Sequence, residues 1–152
     1  MKKYALAFVI AAGILAADGA LYAHSGATGV VKQRMVLMKD IAAEMKTIGA
    51  MARGKVAFDS ARLAAAADRV AGHGKHMPML FPKESLQAPT EATVRIWQDW
   101  DGFVASATTM QKVATSLAAA GRAGDRAAVK SGFRALGKTC STCHKDYREK
   151  RR

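Results

Sequence analysis

Apolar residues recur at intervals of three and four along most of the chain, a spacing that predicts amphipathic α-helices. Four helices are predicted, over about residues 30–53, 60–71, 91–120 and 126–150. No stretch shows sustained alternation of apolar and polar residues, so no β-strand is predicted. The pattern favours an all-α fold, an antiparallel four-helix bundle. The apolar face of the first helix would consist of Val31, Met35, Met38, Ala42, Met45 and Ile48.

Residues with a preference for helix ends support these boundaries. Aspartate and threonine are good N-caps, and Asp59, Thr90 and Asp125 precede the second, third and fourth helices. The inward set predicted for the third helix is Val94, Trp97, Trp100 or Asp101, Val104, Ala107, Gln111, Ala114 and Leu117, with Ile96, Phe103 and Met110 flanking it. The set for the fourth is Val129, Phe133, Leu136, Cys140, Cys143 or His144, and Tyr147.

Residues 72–89 separate the second and third helices and contain all three prolines of the chain. This predicted loop contains an apolar group: Met77, Met79, Leu80 and Phe81. An apolar loop of this length usually covers another part of the protein or a bound group. His73 and His76 also fall there. They are alternative metal ligands, although the glycines on both sides of His73 favour a solvated, mobile position.

The N-terminus has the pattern of a secretory signal peptide. Two lysines are followed by 14 uncharged, mostly apolar residues, 4–17, which is too short a run to span a membrane. Cleavage after Ala23 would give a signal peptide of residues 1–23 and a mature domain of residues 24–152, which we expect in the periplasm. An uncleaved membrane anchor is the alternative.

The net charge is +12, from 24 basic and 12 acidic residues. Removing Lys2, Lys3 and Asp18 with the signal peptide leaves 22 − 11 = +11. Because export argues against a nucleic-acid partner, this charge is better suited to acidic redox partner proteins or to peripheral contact with an anionic membrane.

The two cysteines form the motif Cys140-Ser141-Thr142-Cys143-His144, the C-x-x-C-H pattern of covalent haem c attachment. Thiols three residues apart on a helix project to one side, where they can bond the two vinyl groups of one porphyrin, and the adjacent histidine can reach the iron. Zinc would need four ligands, and a thioredoxin-like motif would follow a strand. A Cys140–Cys143 disulfide and a haem-free redox dithiol remain alternatives.

A C-x-x-C-H motif on the last helix of an all-helical chain resembles the cytochrome c-prime family, the class II c-type cytochromes. The resemblance covers the whole mature chain. It is carried by residues 32–39 of the first helix, Leu80-Phe81-Pro82, Ile96-Trp97 and residues 140–148.

This resemblance implies a four-helix bundle that holds one covalent haem c between its helices, with His144 as the proximal iron ligand. It also implies that Arg148, and with it Arg34, lies close to the haem. Arg148 could instead belong to a solvated basic tail. Homodimers are common in the family.

The sixth iron ligand distinguishes two functions within the family. An alignment through Arg34 presents Met38 at that position, where a thioether would favour Fe(II) and suit an electron-transfer protein. Met35 and Met45 are the next candidates for the sixth ligand. Met38 could instead be an ordinary core residue that packs against its neighbours. Members without such a ligand are five-coordinate and bind NO or CO. No acid–base or nucleophile pair predicts an enzyme.

Overall fold

The computed structural model describes residues 26–149, which form four long helices and two short helical segments. The long helices are α1 (Gly29–Ala52), α2 (Ser60–His76), α4 (Trp100–Arg122) and α5 (Arg126–Tyr147). A 3₁₀ turn (Met77–Leu80) and a short helix, α3 (Arg95–Gln98), lie between α2 and α4. The predicted all-α fold is confirmed. Within these residues the only β-type pairing is one isolated bridge, Ala92–Arg148.

Small side chains allow α2 and α4 to pack closely along their whole length. A Cβ added at Gly74 would lie 3.1 Å from the Ala107 carbonyl oxygen, and one at Gly121 would lie 2.6 Å from Leu63 Cδ2. Four alanines of these two helices are fully or almost fully buried: Ala66, Ala67, Ala107 and Ala114. This pair of helices forms the dense half of the core.

The second helix is longer than its sequence predicted. Asp59 caps it as expected, since its Oδ1 accepts a hydrogen bond from the Arg62 amide at 2.9 Å. The predicted end at residue 71 is wrong, because α2 continues through Gly72 and Gly74 to His76. Gly74 is tolerated because a larger residue would collide with α4. His73 and His76 therefore lie on a helix, not in a mobile loop.

The third helix begins later than predicted. Thr90 does not cap it. The chain is extended near Ala92, forms the single turn α3 and breaks at Asp99, whose side chain caps α4 through the Gly102 amide. The buried face also differs, since Val94 is 53% exposed and Trp100 38% exposed. The residues that face the core are Phe103, Ala107, Met110, Ala114, Leu117 and Ala118.

Helices α1 and α5 run antiparallel and meet over a shorter stretch than α2 and α4. The last turn of α1, at Met51 and Ala52, lies beside the first turn of α5, at Arg126 and Val129. Asp125 caps α5 as predicted, because its Oδ1 accepts from the Ala128 amide at 2.9 Å.

The predicted signal peptide, residues 1–23, falls outside the described residues. Among residues 26–149, no helix has the length and apolar character needed to cross a membrane.

Candidate haem site

The two cysteines of the C-x-x-C-H motif lie one turn apart near the end of α5. Both thiols are free and half-buried, and Cys143 packs against the hydrophobic core. Cys140 Sγ lies 3.4 Å from the Leu136 carbonyl oxygen, to which it can donate. Burial raises the pKa of both thiols, and it raises that of Cys143 to about 11 with help from the nearby charges of Cys140 and Asp146. The protein environment alone therefore keeps both sulfurs protonated at neutral pH.

His144 follows Cys143 directly and has an exposed side chain. Partial burial and the charge of Arg148 both lower the pKa of its imidazole, so the neutral form is favoured. A neutral imidazole is the form that ligates a metal.

Two polar contacts fix the end of α5 on which this histidine lies. Arg148 Nε donates to Glu91 Oε2 at 2.6 Å, and a second guanidinium nitrogen contacts the same oxygen. The Tyr147 hydroxyl donates to Asp99 Oδ2 at 2.7 Å. Backbone hydrogen bonds between residues 91–93 and 147–149 join the same two segments. Arg148 therefore has a defined position beside His144 and does not belong to a solvated tail.

Arg34 on α1 is buried, with 5% of its surface exposed. Its Nε donates to the Leu80 carbonyl oxygen at 2.6 Å and its Nη1 to the Ser85 carbonyl oxygen at 2.8 Å, while Nη2 contacts Ser85 Oγ. Its guanidinium also lies 4.1 Å from the centre of the Phe81 ring. Burial lowers its pKa. The contacts the structure gives Arg34 hold the 80–85 segment onto α1.

Three aromatic rings connect this segment to the end of α5. The Phe81 and Phe103 ring centres are 4.8 Å apart, and those of Phe103 and Tyr147 are 5.4 Å apart, both edge to face. Trp97 Nε1 donates to the Phe81 carbonyl oxygen at 3.0 Å, which gives Trp97 the packing role expected for it. The predicted apolar loop therefore covers the end of the core that lies beside the C-terminal end of α5.

The register of α1 and α5 relates the candidate sixth ligands to His144. Gly49 lies against the Phe133 ring, since a Cβ at Gly49 would be 2.7 Å from Phe133 Cζ. His144 follows Phe133 on α5 by the same number of positions as Met38 precedes Gly49 on α1. That separation is about three helical turns, so both side chains return to the facing sides of antiparallel helices at the same height.

The same register separates Met38 from the other candidate methionines. Met35 falls level with residue 147 and Met45 level with residue 137. Met38 is half-buried and packs against the core. Of the three, it is the one level with His144.

The donor set and its surroundings suit a haem. Two thiols and an imidazole lie on the α5 side of the seam between α1 and α5, where half-buried apolar side chains remain: Met38, Met45, Phe133 and Cys143. These helices pack less closely than α2 and α4, so the apolar side chains along this seam are less fully covered by protein.

Comparison with known proteins agrees with this assignment. Residues 29–148 match the family model described as Cytochrome C'. The chain belongs to the cytochrome c' family. It is 32% identical to cytochrome c-556 of Agrobacterium fabrum over 151 residues, covering 99% of both chains. It is 32% identical to cytochrome c' of Rhodospirillum rubrum over 134 residues, covering 88% of this chain and 85% of that one.

Solved structures of the family share the fold. Cytochrome c prime from Shewanella frigidimarina is 34% identical, with a TM-score of 0.74 over 80% of this chain and 94% of that chain. Cytochrome c' from Rubrivivax gelatinosus is 30% identical, with a TM-score of 0.72 over 79% and 94%. Proteins of the cytochrome c' family bind one covalent haem c, so this chain is a c-type cytochrome.

Sequence reasoning missed three residues that shape the site: Ser85, Glu91 and Asp99. An aspartate three residues before Gly102 is a recognisable N-cap, so Asp99 could have been found. Ser85 and Glu91 carry no such signal, because their partners Arg34 and Arg148 are far away in the sequence.

Proposed function

We propose that Cys140 and Cys143 hold the haem through thioether bonds and that His144 is its proximal iron ligand. The observation that carries this is the C-x-x-C-H motif on the α5 side of the open seam, in a chain of the cytochrome c' family. Bound there, the haem would supply an iron that can change oxidation state and take an axial ligand. The hydrogen bonds of Tyr147 to Asp99 and of Arg148 to Glu91 hold the end of α5 that carries the imidazole.

We infer that a haem held by these residues would take His144 as its one protein ligand and would leave the iron free to bind a small gas such as NO or CO. The family match supports this, since the matched model describes cytochrome c'. The packing of Met38 supports it as well, because this side chain already has core contacts of the kind a gap-filling methionine makes.

A second candidate function is electron transfer with Met38 as the sixth ligand. The register favours it, because Met38 lies level with His144 on the facing helix. The relatives are also mixed, since several of them are named cytochrome c-556. A thioether on the iron would block small ligands and raise the reduction potential.

Absorption spectra of the holoprotein in both oxidation states separate these functions. A gas-binding protein should give a high-spin ferrous spectrum that changes at once when CO is added. A low-spin ferrous spectrum that CO alters only slowly would overturn gas binding and support the Met38 ligand.

The variant Met38→Ala, with Met45→Ala as matched control, tests the ligand itself. Under the gas-binding proposal both variants keep the spin state, and Met38→Ala only widens the space beside the iron. If Met38 is a ligand, its removal alone should convert the iron to high spin and open it to CO. Met45 lies about two turns away and should have no such effect.

Location in the periplasm also belongs to this proposal, since it rests on the sequence of residues 1–23. Expression with c-type maturation machinery, followed by mass spectrometry of the periplasmic fraction, tests it. We expect a chain that begins at His24 and carries the mass of one haem. A full-length chain in the membrane fraction would contradict cleavage.

A further inference from the structure

Exposed cations form two rows along the outer side of the seam between α1 and α5. On α1 the row repeats every seven residues, and on α5 it repeats mostly every four. We call these eight side chains the cationic face: Lys32, Lys39, Lys46, Arg53, Lys130, Arg134, Lys138 and Lys145. All eight are exposed.

Helical geometry places both rows on the same side of the molecule. Residues seven or four apart differ by about 20–40° around a helix, so each row is nearly straight. On α1 the row lies on the side opposite the buried Leu37 and Ile41, and Arg53 at its end reaches over the Phe133 ring of α5, 5.1 Å from its centre. On α5 the row lies opposite the buried Val129 and Leu136.

Negative charge is absent from this face in the described part of the chain. Helix α5 has no Asp or Glu before Asp146. On α1, Asp40 is turned about 100° away from Lys39, and Glu44 accepts from Arg69 Nε of α2 at 2.6 Å. Within residues 26–149, ion pairs involve Arg69, Arg122 and Arg148, and none involves the cationic face. These eight charges are therefore not neutralised within the described part of the fold.

We propose that the cationic face is the docking surface for an acidic protein partner. Adjacent charges are about 6 Å apart along α5 and about 10 Å apart along α1. This spacing is close to the Debye length of about 8 Å at physiological ionic strength, so the charges act together on a partner that approaches closely. The rows flank the C-x-x-C-H segment, so a docked partner would lie next to the haem. Only this last point rests on the proposed function.

The face is better suited to a protein than to a membrane. Basic surfaces that bind bilayers combine cations with large apolar side chains that enter the headgroup region. Four of the exposed large apolar residues belong to the 77–100 segment and to neither row: Met79, Leu86, Val94 and Trp100. Val56 lines a pocket together with Lys130 and therefore borders the α5 row. Val36 lies about 40° around α1 from Lys32 and about 60° from Lys39, so it borders the α1 row. Of the exposed large apolar residues, these two valines are thus set against eight cations. The outer side of α5, between its cations, holds Ser131, Ala135, Ser141 and Thr142.

Charge reversal with a matched control tests the proposal on the holoprotein. The test variant carries Lys39→Glu, Lys46→Glu and Lys138→Glu. The control carries Arg62→Glu, Lys75→Glu and Lys112→Glu, three exposed cations of α2 and α4. Both variants lower the net charge by six, so they differ only in where the charge changes. The probe is flavodoxin, a small acidic redox protein, immobilised for interferometry at low, intermediate and high salt.

We expect wild-type protein to bind the probe with an affinity that falls as salt rises. The test variant should bind at least about tenfold more weakly at low salt, and the control should stay within about threefold of wild type. Equal loss in both variants would overturn the proposal, because net charge alone would then explain binding. Salt-independent binding, or none, would also overturn it.

A parallel measurement uses vesicles of phosphatidylcholine with phosphatidylserine as the minor, anionic component. If the test variant loses vesicle binding but keeps flavodoxin binding, the face is a membrane surface and the protein-partner proposal is wrong. Neither readout depends on the spin state of the iron. Failure here therefore leaves the haem assignment untouched, and failure of the CO test leaves this proposal untouched.

Discussion

Two pairs of helices in the bundle differ in how closely they pack: α2 with α4, and α1 with α5. Between α2 and α4, glycine and alanine bring the backbones so close that a Cβ at Gly74 would lie 3.1 Å from backbone atoms of α4. Between α1 and α5, close contact is found near Gly49 and Phe133, and half-buried methionines line the rest of the seam. The first pair supplies stability without a cofactor, whereas the second leaves apolar surface that a haem would cover. Scaffold and site are thus separated within one small bundle.

The largest effect that would test this comparison is a cavity in the dense pair. Leu63 of α2 is fully buried, so Leu63→Ala should lower the free energy of unfolding by about 2–5 kcal/mol. The matched change Met45→Ala, on the open seam, should cost the apoprotein about 1 kcal/mol or less, because Met45 is only partly buried. Chemical denaturation of both apoproteins measures the difference. Similar losses would mean that the two pairs carry equal shares of the stability.

Substitution of the buried Arg34 should give the next largest loss in the free energy of unfolding. Arg34→Met removes the donors to Leu80 and Ser85 and leaves their oxygens without those partners, at a cost of about 2–3 kcal/mol. Lys39→Met, an exposed change on the same helix, should be within about 0.5 kcal/mol of wild type. Hydrogen exchange should also become faster over residues 80–85 in the Arg34 variant alone. Unchanged protection there would show that this segment does not depend on Arg34.

The sequence identified the elements that local signals define. Helical periodicity gave four helices, and the caps Asp59 and Asp125 were correct because each acts within three residues. Asp99, and the break before it, was missed because Ile96 and Trp97 continue an apolar helical pattern. At the break, Asp99 also accepts a hydrogen bond from the Tyr147 hydroxyl of α5, a tertiary contact that no local pattern indicates.

The candidate site was predictable only where its residues are close together in the sequence. The C-x-x-C-H motif is local, so its three residues could be read directly from the sequence. The partners of Arg34 and Arg148 are not local, since they depend on how the long loop folds back onto α1 and α5. The height of Met38 relative to His144 follows from the pairing of Gly49 with Phe133, which a single sequence does not contain.

Glycine substitutions probe the closeness of α2 and α4 with a smaller perturbation. Gly74→Ala would place a Cβ within 3.2 Å of backbone atoms of Ala107 and Gln111, and should cost about 1–3 kcal/mol. Gly72→Ala, half a turn away on the same helix, meets nothing within 4 Å and should stabilise α2 by up to about 1 kcal/mol. Thermal unfolding should thus move in opposite directions. A shift in the same direction would show that α2 and α4 can separate at no great cost.

The smallest effect on the free energy of unfolding is expected from the hydrogen bond that attaches the end of α5 to the start of α4. Burial and the bond to Asp99 raise the pKa of Tyr147 to about 12, above its ordinary value of about 10. Below pH 10 the hydroxyl is protonated in both folded and unfolded chains, so the bond contributes fully to stability. As the pH rises from 10 through 12, the unfolded chain loses this proton first and that contribution disappears.

Tyr147→Phe should therefore cost about 1.5 kcal/mol at pH 8 and progressively less towards pH 12, measured by urea unfolding. Asp99→Asn is the companion variant, because asparagine still caps α4 but no longer offers a carboxylate to the hydroxyl. It should move the ultraviolet titration of Tyr147 towards pH 10. If the difference between wild type and Tyr147→Phe stays constant from pH 8 to 12, the hydroxyl does not hold the end of α5. The attachment beside His144 would then depend on Arg148 and the backbone bonds at residues 91–93.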